Sequence, residues 1–283
     1  MKTCQACIPC LIRQGQDLVK SQVKDSSKHD LLMRQIEEKV SGVDSSYTAP
    51  EIAREIFHIV REESGRKDPF RRERQEQNSI ALDLLSRMES MVSQASNPWL
   101  EALKLSIAGN AIDLGVYSHL SRDEIEKSIL GALDVSLNAE AASQLKDEID
   151  NAESVLFLGD NAGEIVFDML LIKQMSPQKL CYVVRGGPVL NDVIYDDAIQ
   201  VGMDKLVEVI DNGYDVPGTK IEKCSKSFQD RFNKADLILA KGQGNYETLS
   251  EVNKNIFFLF KVKCPSIAED SGFELGSFAI KKK

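Results

Sequence analysis

Two hydrophobic rhythms divide the chain. From Leu11 to about Leu145, apolar residues recur at helical spacing, as in Ile52, Ile56, Ile59 and Val60. From Ser154 onward the rhythm changes to short apolar runs that alternate with helical patterns. The runs predict strands at 154–158, 180–184, 206–210, 236–240 and 256–262. The patterns between them predict helices at 163–175, about 190–202, about 224–233 and 245–254. Strands alternating with helices argue for a parallel sheet covered on both faces, so the fold class is α/β.

Local signals place the helices of the first half. Ala49-Pro50-Glu51 starts one, with Pro50 in the first turn, where it is tolerated. Gly65-Arg66-Lys67-Asp68-Pro69-Phe70 breaks that pattern, and a charged helix restarts near Arg71. Its buried stripe is Ile80, Leu82, Leu84, Leu85 and Met88, and its Arg71, Arg72 and Arg74 are expected on a solvated face. Asn97-Pro98-Trp99 opens the next helix, which runs into Gly109-Asn110 and Asp113. Ser121-Arg122-Asp123-Glu124 has the form of a capping box, and residues 136–150 predict a last amphipathic helix. The boundary between a helical region, 1–150, and an α/β region, 151–283, follows from this change of rhythm. The tail from Gly272 to Ile280 adds a candidate edge strand, and Lys281-Lys282-Lys283 are expected to fray.

Composition narrows the class. The chain has 283 residues, 42% hydrophobic and 28% charged, as in ordinary globular domains. Its net charge of −9 argues against a broad nucleic-acid surface, which needs a basic face. No apolar run approaches the roughly 20 residues of a membrane span. The start Met1-Lys2-Thr3-Cys4 has no signal-peptide core, so the location is read as cytoplasmic. There are six cysteines, at 4, 7, 10, 181, 224 and 264. Cys4, Cys7 and Cys10 could converge on one metal, with Cys264 as a fourth ligand, or form a redox group. The alternative is that Cys7 or Cys10 is a buried core residue at a helix start.

Candidate chemistry gathers at strand ends. In open α/β sheets, ligands bind outside the carboxyl ends of the strands. Val155-Leu156-Phe157-Leu158 runs into Gly159-Asp160-Asn161-Ala162-Gly163-Glu164. Asp160 and Asn161 offer oxygens that suit Mg²⁺ or Mn²⁺, and the next helix start welcomes an anion. Ordinary turn and cap chemistry would also place Asp-Asn here. The second strand runs into Arg185-Gly186-Gly187-Pro188-Val189-Leu190-Asn191-Asp192, where Asp192 is read as opening a helix and facing Asp160. Two such carboxylates repel unless a cation lies between them. The fourth strand runs into Lys241-Gly242-Gln243-Gly244-Asn245-Tyr246-Glu247, a phosphate cradle in kind but without the Walker order.

Those three motifs, with Cys4-x-x-Cys7, Gly65-x-x-Asp68-Pro69-Phe70 and Gly109-Asn110-x-x-Asp113, resemble the metal-dependent damage-control phosphatases, also called acidic-residue-methyltransferase-like. The N-terminal motifs look like the archaeal and bacterial branch. The resemblance covers nearly the whole chain. It implies a helical N-terminal region packed on a Rossmann-like three-layer domain with a mainly parallel sheet. It implies a divalent ion (Mn²⁺, Mg²⁺, Ni²⁺ or Co²⁺) on Asp160, Asn161 and Asp192. It implies phosphate binding near Lys241 and Asn245, with Asn110, Asp113, Gly163, Glu164, Arg185 and Gly242 also at the substrate. The implied activity is hydrolysis of small phosphorylated metabolites such as sugar phosphates, with Asp160 a ligand or a nucleophile. The alternatives are an S-adenosylmethionine-dependent carboxyl methyltransferase, or a thiol or metal module without enzyme activity.

Overall fold

The computed structural model describes residues 1–44, 46–109, 131 and 135–283. Asn110, Asp113 and the capping box at 121–124 lie outside them.

Among the described residues, six α-helices precede the sheet: α1 (Cys7–Gln22), α2 (His29–Ser41), α3 (Ala49–Ser64), α4 (Arg71–Gln94), α5 (Pro98–Gly109) and α6 (Ala139–Asn151). Helix α3 starts where Pro50 predicts, behind a capping box in which the Thr48 and Glu51 side chains serve each other's backbone. It ends at Gly65, whose φ of 66° suits a residue without a Cβ. Strands and helices then alternate: β1 (Val155–Leu158), α7 (Glu164–Ile172), β2 (Leu180–Val184), α8 (Tyr195–Val201), β3 (Glu208–Asp211), α9 (Lys226–Lys234), β4 (Leu237–Lys241), α10 (Gly242–Leu249), β5 (Ile256–Lys261), α11 (Pro265–Ser271) and β6 (Phe278–Lys282).

The sheet order is β3-β2-β1-β4-β5-β6, parallel except for the antiparallel edge strand β6. The order reverses between β1 and β4, so their carboxyl ends splay apart and leave the crevice where ligands bind in such folds. Lys281 and Lys282, expected to fray, are paired to β5. Lys281 Nζ also donates to Ser271 O at 2.8 Å, and Lys282 pairs with Glu148.

Alternation along the strands builds two apolar layers. Val155 and Phe157 face a core made with α4, α5, α6 and α7, whereas Leu156 and Leu158 face α9, α10 and α11. Burying each such Leu or Phe contributes roughly 1.5–3 kcal/mol. Helices α1, α2 and α3 make a third core of their own through Leu18, Ile36 and Ile56. The change of rhythm near residue 150 therefore marks a change of secondary structure, while α4, α5 and α6 share their core with the sheet.

Arg74 departs from the solvated face expected of its cluster. Arg71 and Arg72 are exposed, but Arg74 is buried. Its guanidinium donates to Asp68 through both terminal nitrogens, at 3.0 and 2.7 Å, and through Nε to Asp197 at 2.8 Å. The helical period hides this, because it cannot show which polar residue meets a partner from another element.

Candidate active site

The loops after β1 and β2 are sewn together. Ala162 N–H donates to Asn191 O at 2.9 Å and Val193 N–H to Asp160 O at 2.9 Å, so Asn161 and Asp192 face each other as a short antiparallel bridge. Leu190 turns the chain into this bridge with a φ of 46°, a conformation that costs a non-glycine residue about 1–3 kcal/mol. Asp192 is thus a bridge residue. Helix α8 starts only at Tyr195, and its first turn is served by Asp197, which accepts from Ile194 N–H at 3.0 Å.

A side-chain cation, Arg185, reaches both aspartates. Arg185 Nε donates to Asp192 Oδ2 at 2.7 Å, and its Nη2 lies 3.4 Å from Asp160 Oδ1. Arg185 is buried beneath them, so it positions the aspartates from below. Even so, burial and the neighbouring charges of Glu164 and Asp192 push the Asp160 carboxyl up to about 7, against the pull of Arg185. Burial likewise pushes Asp192 up to about 6, with Arg185 opposing. Asn161 Nδ2 donates to Asp160 Oδ2 at 2.8 Å and to Glu164 Oε2 at 3.2 Å.

A second buried cluster lies alongside. Lys241 Nζ donates to Ser106 O at 2.7 Å, Ser106 Oγ at 2.9 Å and Asp168 Oδ1 at 2.6 Å, and it lies 2.8 Å from Glu164 Oε1. Burial alone would lower the Lys241 pKa, but the charges of Asp168 and Glu164 raise it, so the amine stays protonated. Tyr182 donates to the other oxygen of Asp168 at 2.9 Å. The amine of Lys241 is therefore spent inside the protein, which departs from its expected place on a substrate phosphate. Asn245 is spent likewise: its amide donates to Gly159 O and Lys241 O and accepts from Thr219 Oγ1, tying β1 to β4. Gly163 N–H donates to Asn78 Oδ1 at 2.7 Å.

Asp160, Asn161 and Asp192 line a cleft of about 730 Å³, within the usual size of small-molecule sites. Gln243 and Gly244 of α10 form one wall, and α1 and the start of α3 form the opposite one. The cations on its lining are Lys263, just after β5, and Arg13 of α1. Lys263 is exposed and its charge draws the Asp160 pKa down. Cys7, Cys10 and Cys264 also line this cleft, so the N-terminal cysteines lie near the carboxylates despite their distance in sequence. Among the described residues, no group of three or more His, Cys, Asp or Glu side chains converges as a metal site.

Ser106, Asp168 and Tyr182 were not singled out from the sequence, nor was Arg13. Asp168 carried a signal: it interrupts Ile165-Val166-Phe167 and Met169-Leu170 on a helix that is apolar all round, and a buried carboxylate there needs a partner.

Comparison with known proteins agrees with this architecture. The model of the damage-control phosphatase ARMT1-like domain matches residues 3–278. A damage-control phosphatase of Pyrococcus horikoshii is 32% identical over 278 residues, covering 95% of this chain and 94% of that protein. One of Archaeoglobus fulgidus is 30% identical over 290 residues, covering 99% of each. A crystal structure of a DUF89 family protein from Pyrococcus horikoshii superposes with a TM-score of 0.91 at 29% identity, over 100% of this chain and 99% of that one. Fold, strand-end motifs and full-length similarity together make this chain a member of the ARMT1-like damage-control phosphatase family.

Proposed function

We propose that the chain hydrolyses phosphomonoesters of small metabolites, sugar phosphates among them, and needs a divalent cation held by Asp160, Asn161 and Asp192. One observation carries the reading: an all-oxygen acidic site and the exposed ammonium of Lys263 share a single cleft at the sheet's switch point. Charge supports the cation. Among the described residues the site holds four carboxylates, of Asp160, Glu164, Asp168 and Asp192, against two cations, Arg185 and Lys241. Oxygen donors such as these favour Mg²⁺ or Mn²⁺ over zinc. The Asn161 amide now presents its NH₂ end to the carboxylates, and half a turn about its last bond presents the oxygen instead.

When bound, such an ion supplies a Lewis acid for the phosphoryl oxygens. The chain's own residues do the rest. Asp160 and Asp192 act as ligands in their ionised form, and Arg185 fixes Asp192 in place. Lys241 holds Glu164 and Asp168 and so stiffens the floor. Lys263 and Arg13 meet the negative end of the substrate, while Leu190, Pro50 and Ala53 offer its carbon skeleton an apolar wall. Asp160 is read as a ligand, since Asn161 and Asp192 need a third anchor there.

A phosphatase screen over sugar phosphates and nucleotides with Mn²⁺, Mg²⁺, Ni²⁺ and Co²⁺ tests the proposal. Phosphate release should depend on added metal and stop with chelator. Full activity in chelator-treated protein would refute the metal requirement, and no release from any compound would refute the substrate class.

A further inference from the structure

Cys4 and Cys7 sit on one tight turn, in which Cys7 N–H donates to Cys4 O at 3.0 Å. Cys7 is the first residue of α1, and its thiol lines the cleft. The two sulfurs are 3.2 Å apart, and Cys4 Sγ is also 3.1 Å from Ser266 Oγ at the start of α11. Both residues are partly exposed, whereas Cys181 and Cys224 are buried in the core. Cys264 is drawn elsewhere, with its sulfur 3.8 Å from Gln243 Nε2. This pairs two thiols only, which is too few for a structural zinc site and the right number for a redox couple.

We infer that Cys4 and Cys7 form a redox-active dithiol that closes to a disulfide under peroxide, with Cys4 as the attacking thiolate and Cys7 as the resolving thiol. The two environments differ in the sense this order requires. The hydroxyl of Ser266 lowers the Cys4 pKa, which favours the thiolate, although burial opposes it. Burial and the adjacent Cys4 push Cys7 up to about 11, so it keeps its proton.

The chemistry balances with hydrogen peroxide as the oxidant. Cys4 attacks one peroxide oxygen; the O–O bond breaks, Cys4 becomes a sulfenic acid, and hydroxide leaves to take up the proton that Cys4 had released. Cys7 sulfur then displaces the sulfenic hydroxyl. The S–O bond breaks, the S–S bond forms, and the Cys7 proton leaves with hydroxide as a second water. Two thiols are oxidised by two electrons, and one peroxide is reduced to two waters. A dithiol reductant reverses the change by exchange.

The test uses the full chain. Cleavage after Lys2 and Arg13 yields one tryptic peptide, 3–13, that contains Cys4, Cys7 and Cys10. After peroxide and then iodoacetamide, this peptide should lose two hydrogens and carry one alkyl group, on Cys10. Dithiothreitol before alkylation should restore alkylation of all three. In Cys7→Ser, dimedone should label Cys4, and Cys4→Ser should leave Cys7 unlabelled. Full alkylation after peroxide, a bond that includes Cys10, or a dimedone label on Cys7 in the Cys4→Ser protein would overturn the inference. Thiols that react only after a chelator strips bound zinc would also overturn it, in favour of a metal site.

Discussion

A Cβ at position 242 would stand 1.8 Å from Asp160 Oδ2, so the carboxylate occupies space that only glycine leaves open. Gly242 also has a φ of 79°, which L side chains rarely adopt. Gly242→Ala should therefore cost about 1–3 kcal/mol in backbone strain. It should also push Asp160 from its place, and a misplacement of about 1 Å can reduce turnover by about 100-fold. Steady-state kinetics beside a urea titration checks this. An Ala variant with unchanged kcat/KM would show that Asp160 need not lie against this turn.

Lys241 and Lys263 should separate cleanly. Lys241→Ala leaves Asp168 and Glu164 without their cation in a buried site, which should cost roughly 3–5 kcal/mol. Lys263→Ala removes an exposed ammonium and should leave stability nearly unchanged. It should weaken inhibition by inorganic phosphate by about 1.5–3 kcal/mol if that ammonium contacts the phosphoryl group. Denaturant midpoints and phosphate inhibition constants measure the two effects. A Lys263→Ala protein inhibited like the wild type would remove this lysine from substrate binding.

Asp192→Asn should keep the fold, because an amide oxygen can still accept from Arg185 Nε. It should lose Mn²⁺ binding measured by calorimetry. Asp192→Ala is a harsher change, since it leaves the buried Arg185 with only its longer contact to Asp160, and should cost roughly 3 kcal/mol. Undiminished Mn²⁺ heats in the Asn variant would place the cation elsewhere.

Two carboxyls shape the pH dependence of stability in opposite directions. Burial chiefly pushes Glu247 up to about 7 from an ordinary 4.5. The folded state then holds a proton that the unfolded state has released, so this contribution is lost as pH rises from about 4.5 through about 7. Burial would raise Asp215 too, but hydrogen bonds from His58 at 2.8 Å and Arg54 at 2.7 Å hold it below its ordinary value. Its contribution is present above the unfolded value of 3.8 and is lost as pH falls through the lower folded one. Glu247→Gln should therefore melt relatively higher than wild type at about pH 8 than at about pH 5. Asp215→Asn should flatten the acid limb. Parallel melting profiles for wild type and Glu247→Gln would contradict the first expectation.

Much of the fold was legible in local pattern. The short apolar runs Val155–Leu158 and Leu237–Ala240 mark strands because residues on both faces must reach an apolar layer. Pro50 and Pro98 mark helix starts because proline fixes φ and lacks the N–H donor, and Gly65 marks an end because it tolerates a positive φ. The strand-end motifs were legible too, and Asp160, Asn161 and Asp192 meet because parallel strands carry their carboxyl ends to one edge. The edge strand β6 was foreshadowed only as far as Ile280, because the three lysines that follow have no apolar signal.

What each polar side chain does was settled only in three dimensions. In sequence, Lys241 near two glycines reads as a phosphate ligand, and Arg74, close to Arg71 and Arg72, reads as a surface cation. Lys241 is buried against Ser106 of α5, 135 positions away in the chain, and Arg74 against Asp197, 123 positions away. Whether a charge faces water or a buried partner depends on such distant neighbours, and local periodicity carries no information about them. The same holds for the cleft: α1 brings Cys7 and Arg13 over the carboxylates, while α11 brings Ser266 to Cys4. By itself the sequence determined the elements and the strand ends that carry chemistry, because backbone preference and side-chain period are local. Tertiary structure alone decided which of those groups is buried and paired and which is left to meet a ligand, because desolvation and charge pairing act between residues that only the packed fold brings together.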